Sequence, residues 1–137
     1  MEEKKLDPAA VETICAKALS GMPHVARVYT RTQLLAGQYR RDAIGRRVAN
    51  GFHPGRSGDV IVLLEPYWSF AKEGATHGSP YDYDTHVPII FMGRGIQPGR
   101  YHRNVVLNDI APTLATLLEI ETPSGSVGRV LDEMLVK

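Results

Sequence analysis

The sequence has 137 residues, of which 43% are hydrophobic and 23% charged, long and apolar enough to bury a core and unlike a chain disordered throughout. Its 16 Lys and Arg against 15 Asp and Glu leave a formal net charge of +1, too weak a field to make nucleic acid or an anionic membrane the main partner. A single cysteine, Cys15, has no internal disulfide partner and lacks the spacing of a structural zinc site, and no apolar run is long enough to span a bilayer.

The first residues, Met1-Glu2-Glu3-Lys4-Lys5-Leu6, lack the apolar core of a secretion signal, so the chain as written is expected to be soluble and without an export address. Asp7-Pro8 then supplies a capping carboxylate and a proline suited to a first helical position. Val11, Ile14, Cys15, Ala18 and Leu19 recur at helical spacing, which predicts an amphipathic helix over residues 8–20 with Cys15 as a small buried hydrophobe. Gly21-Met22-Pro23 stops it, and the alternation from Val25 to Thr30 predicts a half-buried strand.

A short helical stretch over 33–36 leads into a basic segment with Arg40, Arg41, Arg46 and Arg47. These four read either as an anion patch or, preferably, as a solvated helix face. After the turn-rich Pro54-Gly55-Arg56-Ser57-Gly58, the β-branched run from Val60 to Leu64 predicts a central strand covered on both faces.

Residues 65–86 are rich in glycine, proline and aromatics, the composition of a long loop of the kind that carries function. Residues 87–92 read as a second buried strand, with Pro88 near its start and Gly93-Arg94-Gly95 as a strand-ending turn rather than a phosphate-binding one. Asn108 or Asp109 can cap a helix carrying Ile110, Leu114, Leu117 and Leu118, and residues 130–136 predict a short terminal helix. Helices and apolar strands alternate, which predicts an α/β fold. No repeat, heptad run or low-complexity tract interrupts it.

The segment Gly74-Ala75-Thr76-His77-Gly78-Ser79-Pro80-Tyr81-Asp82-Tyr83-Asp84-Thr85-His86 puts two imidazoles and two carboxylates on one loop. Those are zinc-ligand types, and flanking glycines permit tight turns, yet a histidine in such a loop is also commonly a surface residue. Trp68, Phe70, Tyr81 and Tyr83 either line a pocket beside His77 or pack the loop onto the core.

Taken together, residues 74–99, Asn108-Asp109-Ile110-Ala111-Pro112-Thr113-Leu114 and Pro123-Ser124-Gly125-Ser126-Val127-Gly128-Arg129-Val130-Leu131 resemble the C-terminal end of the alkaline phosphatase superfamily. Upstream, Met22-Pro23-His24-Val25-Ala26-Arg27-Val28-Tyr29-Thr30 and Arg56-Ser57-Gly58-Asp59-Val60 are also similar to it, so the resemblance covers nearly the whole chain. The type resembled is the bacterial phosphate-irrepressible alkaline phosphatase, grouped with type I phosphodiesterases and nucleotide pyrophosphatases.

The resemblance implies a single incomplete domain over 1–137, part of a layered α/β fold with a mixed sheet and flanking helices. Within it, residues 1–57 form a helix and strand region, and 58–137 a C-terminal core bearing the metal-ligand loop. It implies that His77, in Thr-His-Gly, is one ligand to one of two zinc ions. Separately from the resemblance, the general habit of zinc-bound imidazoles makes a nearby carboxylate such as Asp82 or Asp84 the expected group to orient its ring. His86 is expected to be a structural residue at the strand start.

The family chemistry so implied is phosphoryl transfer to a Thr or Ser, in a site whose nucleophile, aspartates and further histidines precede the region matched here. No adjacent Asp-His pair occurs in this chain. The expectation is therefore a C-terminal fragment of a zinc-dependent phosphomonoesterase, inactive alone and partnered by the upstream catalytic portion of the same fold. A self-associating binding module, for instance a homodimer, and a piece of a phosphodiesterase- or sulfatase-type member are the alternatives. The family is usually exported to the periplasm.

Overall fold

The computed structural model describes residues 6–136; the opening segment read above for a secretion signal lies, except for Leu6, outside them. Two units make up the chain, one ending at Val87 and the other beginning at Pro88. None of the described helices is long and apolar enough to cross a membrane.

In the first unit, Asp7 Oδ1 accepts the N–H of Ala9 at 3.3 Å, Pro8 occupies the first turn, and helix α1 runs Pro8–Ser20 as its cap predicts. The buried side of α1 differs from the expected one. Glu12 is buried while Val11, Ile14 and Cys15 are exposed, which corrects the reading of Cys15 as a core residue. The cause is a polar contact that periodicity does not register. Glu12 Oε2 accepts the N–H of Thr32 at 3.0 Å and so caps the short helix α2, Arg31–Leu35, turning that side of α1 inward. That backbone hydrogen bond also holds the Glu12 carboxyl below its ordinary pKa.

Strand β1, Val25–Thr30, pairs antiparallel with β2, Val60–Leu64, aligning Thr30 with Val60 and Val28 with Val62. Tyr29 and Leu63 are buried in the small core beneath the pair. Both strands form where sequence predicts them. Only Leu63 of β2 is buried, however, and its neighbours are half-exposed, so β2 is not a strand covered on both faces.

Thr30 ends β1 and starts α2 by a reciprocal cap. Its Oγ1 accepts from Gln33 N at 3.1 Å, and its own N–H donates to Gln33 Oε1 at 3.1 Å. Helix α3, Ala43–Gly51, is capped by Asp42, whose Oδ1 accepts the N–H of Gly45 at 2.8 Å. Gly45 is needed there, because a Cβ would fall 1.8 Å from the Arg40 carbonyl oxygen.

In the second unit, a 3-10 turn over Leu107–Asp109 runs into helix α5, Ile110–Leu117. Asp109, 2% exposed, accepts the N–H of Val106 on Oδ2 at 3.0 Å and of Arg129 on Oδ1 at 2.9 Å. Thr113 Oγ1 donates to the Asp109 carbonyl at 2.6 Å and accepts the N–H of Leu131 at 3.0 Å. Ala115, Leu131 and Met134 form the apolar core around these polar links. Gly128 lies so close to Asn108 that a Cβ would sit 2.0 Å from its carbonyl oxygen.

Two predicted elements of this region do not form. Residues 87–92 make no strand: no ladder among the described residues includes them, and Ile90 and Met92 are 84% and 97% exposed. An apolar β-branched run becomes a strand only where a neighbouring edge takes its backbone hydrogen bonds, and no such edge reaches it. The terminal helix predicted over 130–136 is replaced by a 3-10 turn, Asp132–Met134. Gln97 N donates to the Met134 carbonyl at 2.8 Å and Val136 N to that of Gly95 at 2.9 Å, an extended pairing with Leu135 opposite Ile96 that a helix would not allow.

Candidate functional site

The chain leaving β2 carries the loop that sequence singled out, and three contacts fix where it runs. The Tyr81 hydroxyl donates to the Leu64 carbonyl at 2.7 Å, tying the loop back to the end of β2, and burial raises its pKa. From α3, Arg47 donates to the Pro80 carbonyl and to Asp82 Oδ1, each at 2.8 Å. Asp84, in the short helix α4, Asp82–Thr85, accepts the N–H of Ser79 at 2.8 Å.

Gly74 and Gly78 adopt left-handed backbone, φ 89° and 96°, on either side of His77, conformations that L side chains rarely tolerate. The imidazole between them is exposed and stands on the wall of a cavity of about 640 Å³. Trp68, Phe70, Tyr81 and Tyr83 line the same cavity, the pocket alternative of the two weighed from sequence.

The two carboxylates named as partners of His77 have different roles. Asp82 is committed to Arg47. Asp84 binds the backbone just beyond His77, and its carboxyl lies below the ordinary pKa mainly through the Ser79 hydrogen bonds, with a smaller contribution from the His77 imidazole. His86 is not among the residues that line the cavity; its N–H donates to the Asp82 carbonyl at 2.9 Å and closes α4, although the strand it was expected to begin is absent.

Among the described residues no three His, Cys, Asp or Glu side chains are grouped to hold a metal ion. Catalytic zinc takes about three protein ligands, so this donor set does not by itself fit the metal. The arginines are largely tied into local contacts. Arg40 pairs with Asp42 at 3.0 Å, Arg46 donates to the Arg41 carbonyl at 2.8 Å, and Arg47 serves the loop. Gly93 to Ile96 is a turn closed by Ile96 N donating to the Gly93 carbonyl at 3.3 Å.

Sequence reasoning missed two features. The tie from Arg47 to the loop spans 35 positions and has no local signature. His24 was quoted only as part of a resemblance, yet its ring stacks on Trp68 with centroids 3.3 Å apart, and its Nδ1 lies 3.0 Å from Glu65 Oε2.

A helix-flanked strand pair followed by a glycine-hinged histidine loop over an aromatic cavity defines an α/β protein. No protein-family profile matches the sequence. The chain is 36% identical, over 98% of its length, to a protein of Myroides odoratus named calcium-transporting ATPase, covering 24% of it. It is 40% identical over 67% of its length to alkaline phosphatase PhoV of Synechococcus elongatus, and 42% over 69% to alkaline phosphatase PafA of Elizabethkingia meningoseptica, covering 17% and 18% of those proteins.

The crystal structure of PafA superposes with a TM-score of 0.85 at 33% identity, over 96% of this chain and 26% of that one. The chain belongs to the alkaline phosphatase superfamily, has its α/β fold, and corresponds to its C-terminal portion. It spans about a quarter or less of the length of these relatives.

Proposed function

We propose that the chain is the C-terminal part of a zinc-dependent phosphoric ester hydrolase, that it contributes His77 as one metal ligand, and that it has no turnover alone. The observation that supports this is the exposed imidazole of His77, held between two left-handed glycines at a cavity wall, with no three His, Cys, Asp or Glu side chains grouped to hold a metal among the described residues. In a complete site zinc would supply charge neutralisation at the phosphoryl oxygens. This chain's own part is to hold the imidazole in place: Asp84 and Arg47 fasten the backbone on the C-terminal side of His77, and Tyr81 anchors it to β2.

Zinc titration calorimetry in chelator-stripped buffer, on the wild-type chain and on His77→Ala, tests the reading together with an aryl phosphate assay. Weak or absent binding in both, with no turnover, is expected. Tight binding that His77→Ala removes, with zinc-dependent hydrolysis, would show that the chain completes a site without the upstream portion and would overturn the proposal.

The large apolar side chains in water, Ile14, Ile90 and Met92 among them, favour a second reading, in which the chain associates with itself or with the upstream part of its fold.

A further inference from the structure

We propose that Trp68 and Phe70 form a stacking platform for a flat, uncharged aromatic ring, on the wall of the cavity that also holds His77. That the ring belongs to a phosphate ester rests on the function proposed above; the platform itself rests on the aromatic geometry.

Rings that merely seal a core are buried, yet Trp68 is 50% and Phe70 73% exposed. The indole is braced. His24 adopts left-handed backbone, φ 62°, and stacks its ring on the indole with an interplanar angle of 13°, while Glu65 holds its Nδ1. Tyr67 does the same for Tyr83. At φ 66° its ring stacks on Tyr83 with centroids 4.6 Å apart, and Tyr83 stacks in turn on Tyr81 at 5.7 Å.

Two non-glycine residues thus occupy a conformation that is costly for L side chains, and both prop aromatic rings at one cavity. The arginine on the wall, Arg47, is already taken by Asp82 and the Pro80 carbonyl, and Glu65 by His24, so the surface offers π-faces rather than free charge. Such faces select flat rings of any sequence or substituent, because stacking needs only a π-system.

Trp68 is the only tryptophan, so its fluorescence reports on this wall alone. The full chain is titrated with phenyl phosphate, adenosine 5′-monophosphate, cyclohexyl phosphate and inorganic phosphate. Saturable quenching by the two aromatic phosphates and none by the other two is expected. Stronger quenching by phenyl phosphate would assign the platform to aryl esters, and by the nucleotide to nucleobases; either supports it. In Phe70→Leu, which keeps the apolar area at an exposed position, the aromatic ligands bind about tenfold more weakly.

Equal responses to phenyl and cyclohexyl phosphate, an unchanged affinity in Phe70→Leu, or no saturation by either aromatic ligand would overturn the platform. Because the readout needs neither metal nor turnover, ring binding leaves the platform standing even where tight zinc binding and hydrolysis by the chain alone overturn the proposal that it is an inactive part.

Discussion

The Asp84 carboxylate accepts the N–H of Ser79, two residues beyond His77, and so fixes the exit of the loop from the imidazole. Removing it frees that backbone without touching a core residue. In Asp84→Ala the Ser79 amide should exchange roughly 2- to 10-fold faster, whereas Asp82→Ala, which breaks only the Arg47 pair, should leave that amide protected. Hydrogen exchange resolved by NMR measures both. Equal protection in wild type and Asp84→Ala would show that the hydrogen bond does not hold the loop.

Asp42 carries the pH prediction. Hydrogen bonds from the Arg27 guanidinium and then from the Gly45 N–H lower its pKa to about 2. A group lowered in the folded state adds stability that is fully present above its unfolded value, about 3.9, and is lost as the pH falls from there towards 2. Denaturant unfolding of the first unit, followed from pH 6 to about 2, should show part of its acid destabilisation in that window. In Asp42→Asn that part should be absent and stability at neutral pH lower.

Thr113 is fully buried and satisfies two backbone groups with one hydroxyl. Thr113→Val keeps the shape but leaves the Leu131 N–H without a partner, at a cost of about 1–3 kcal/mol. Thermal unfolding followed by far-UV circular dichroism should show the loss. A variant as stable as wild type would mean that water reaches Leu131 N.

Association is the fourth expectation. With Ile90 and Met92 almost wholly in water, the chain should form dimers or larger species at high concentration, and Met92→Lys should lower the apparent mass without changing secondary structure. Light scattering decides; a clean monomer at high concentration would remove the self-association reading.

Elements whose causes are local were legible from sequence. Asp7 and Pro8 located α1 to the residue, the alternation from Val25 to Thr30 located β1, and the β-branched run located β2. The errors arose where a distant group decided. Glu12 turned an apolar helix stripe outward by capping α2 from 20 positions away, and Gly95 and Gln97 drew the tail into an extended pairing instead of a helix.

Residues 87–92 failed as a strand for lack of a partner edge, which no window of sequence can reveal. At the candidate site, the Thr-His-Gly resemblance singled out His77, and composition alone would not have. Asp82 and Asp84 looked interchangeable until Arg47 claimed one of them. The Asp42 cap had a usable signal, an acidic residue three positions before Gly45, that the arginines around it obscured.

The outward turn of α1 has a chemical corollary. It leaves Cys15, the only thiol in the sequence, open to solvent. One accessible sulfur gives the chain a valence of one towards oxidants, so air oxidation can join two copies and then has nothing left to join. A non-reducing gel should end at the two-chain band, and a single thiol-reactive dye would mark every molecule at the same point on α1.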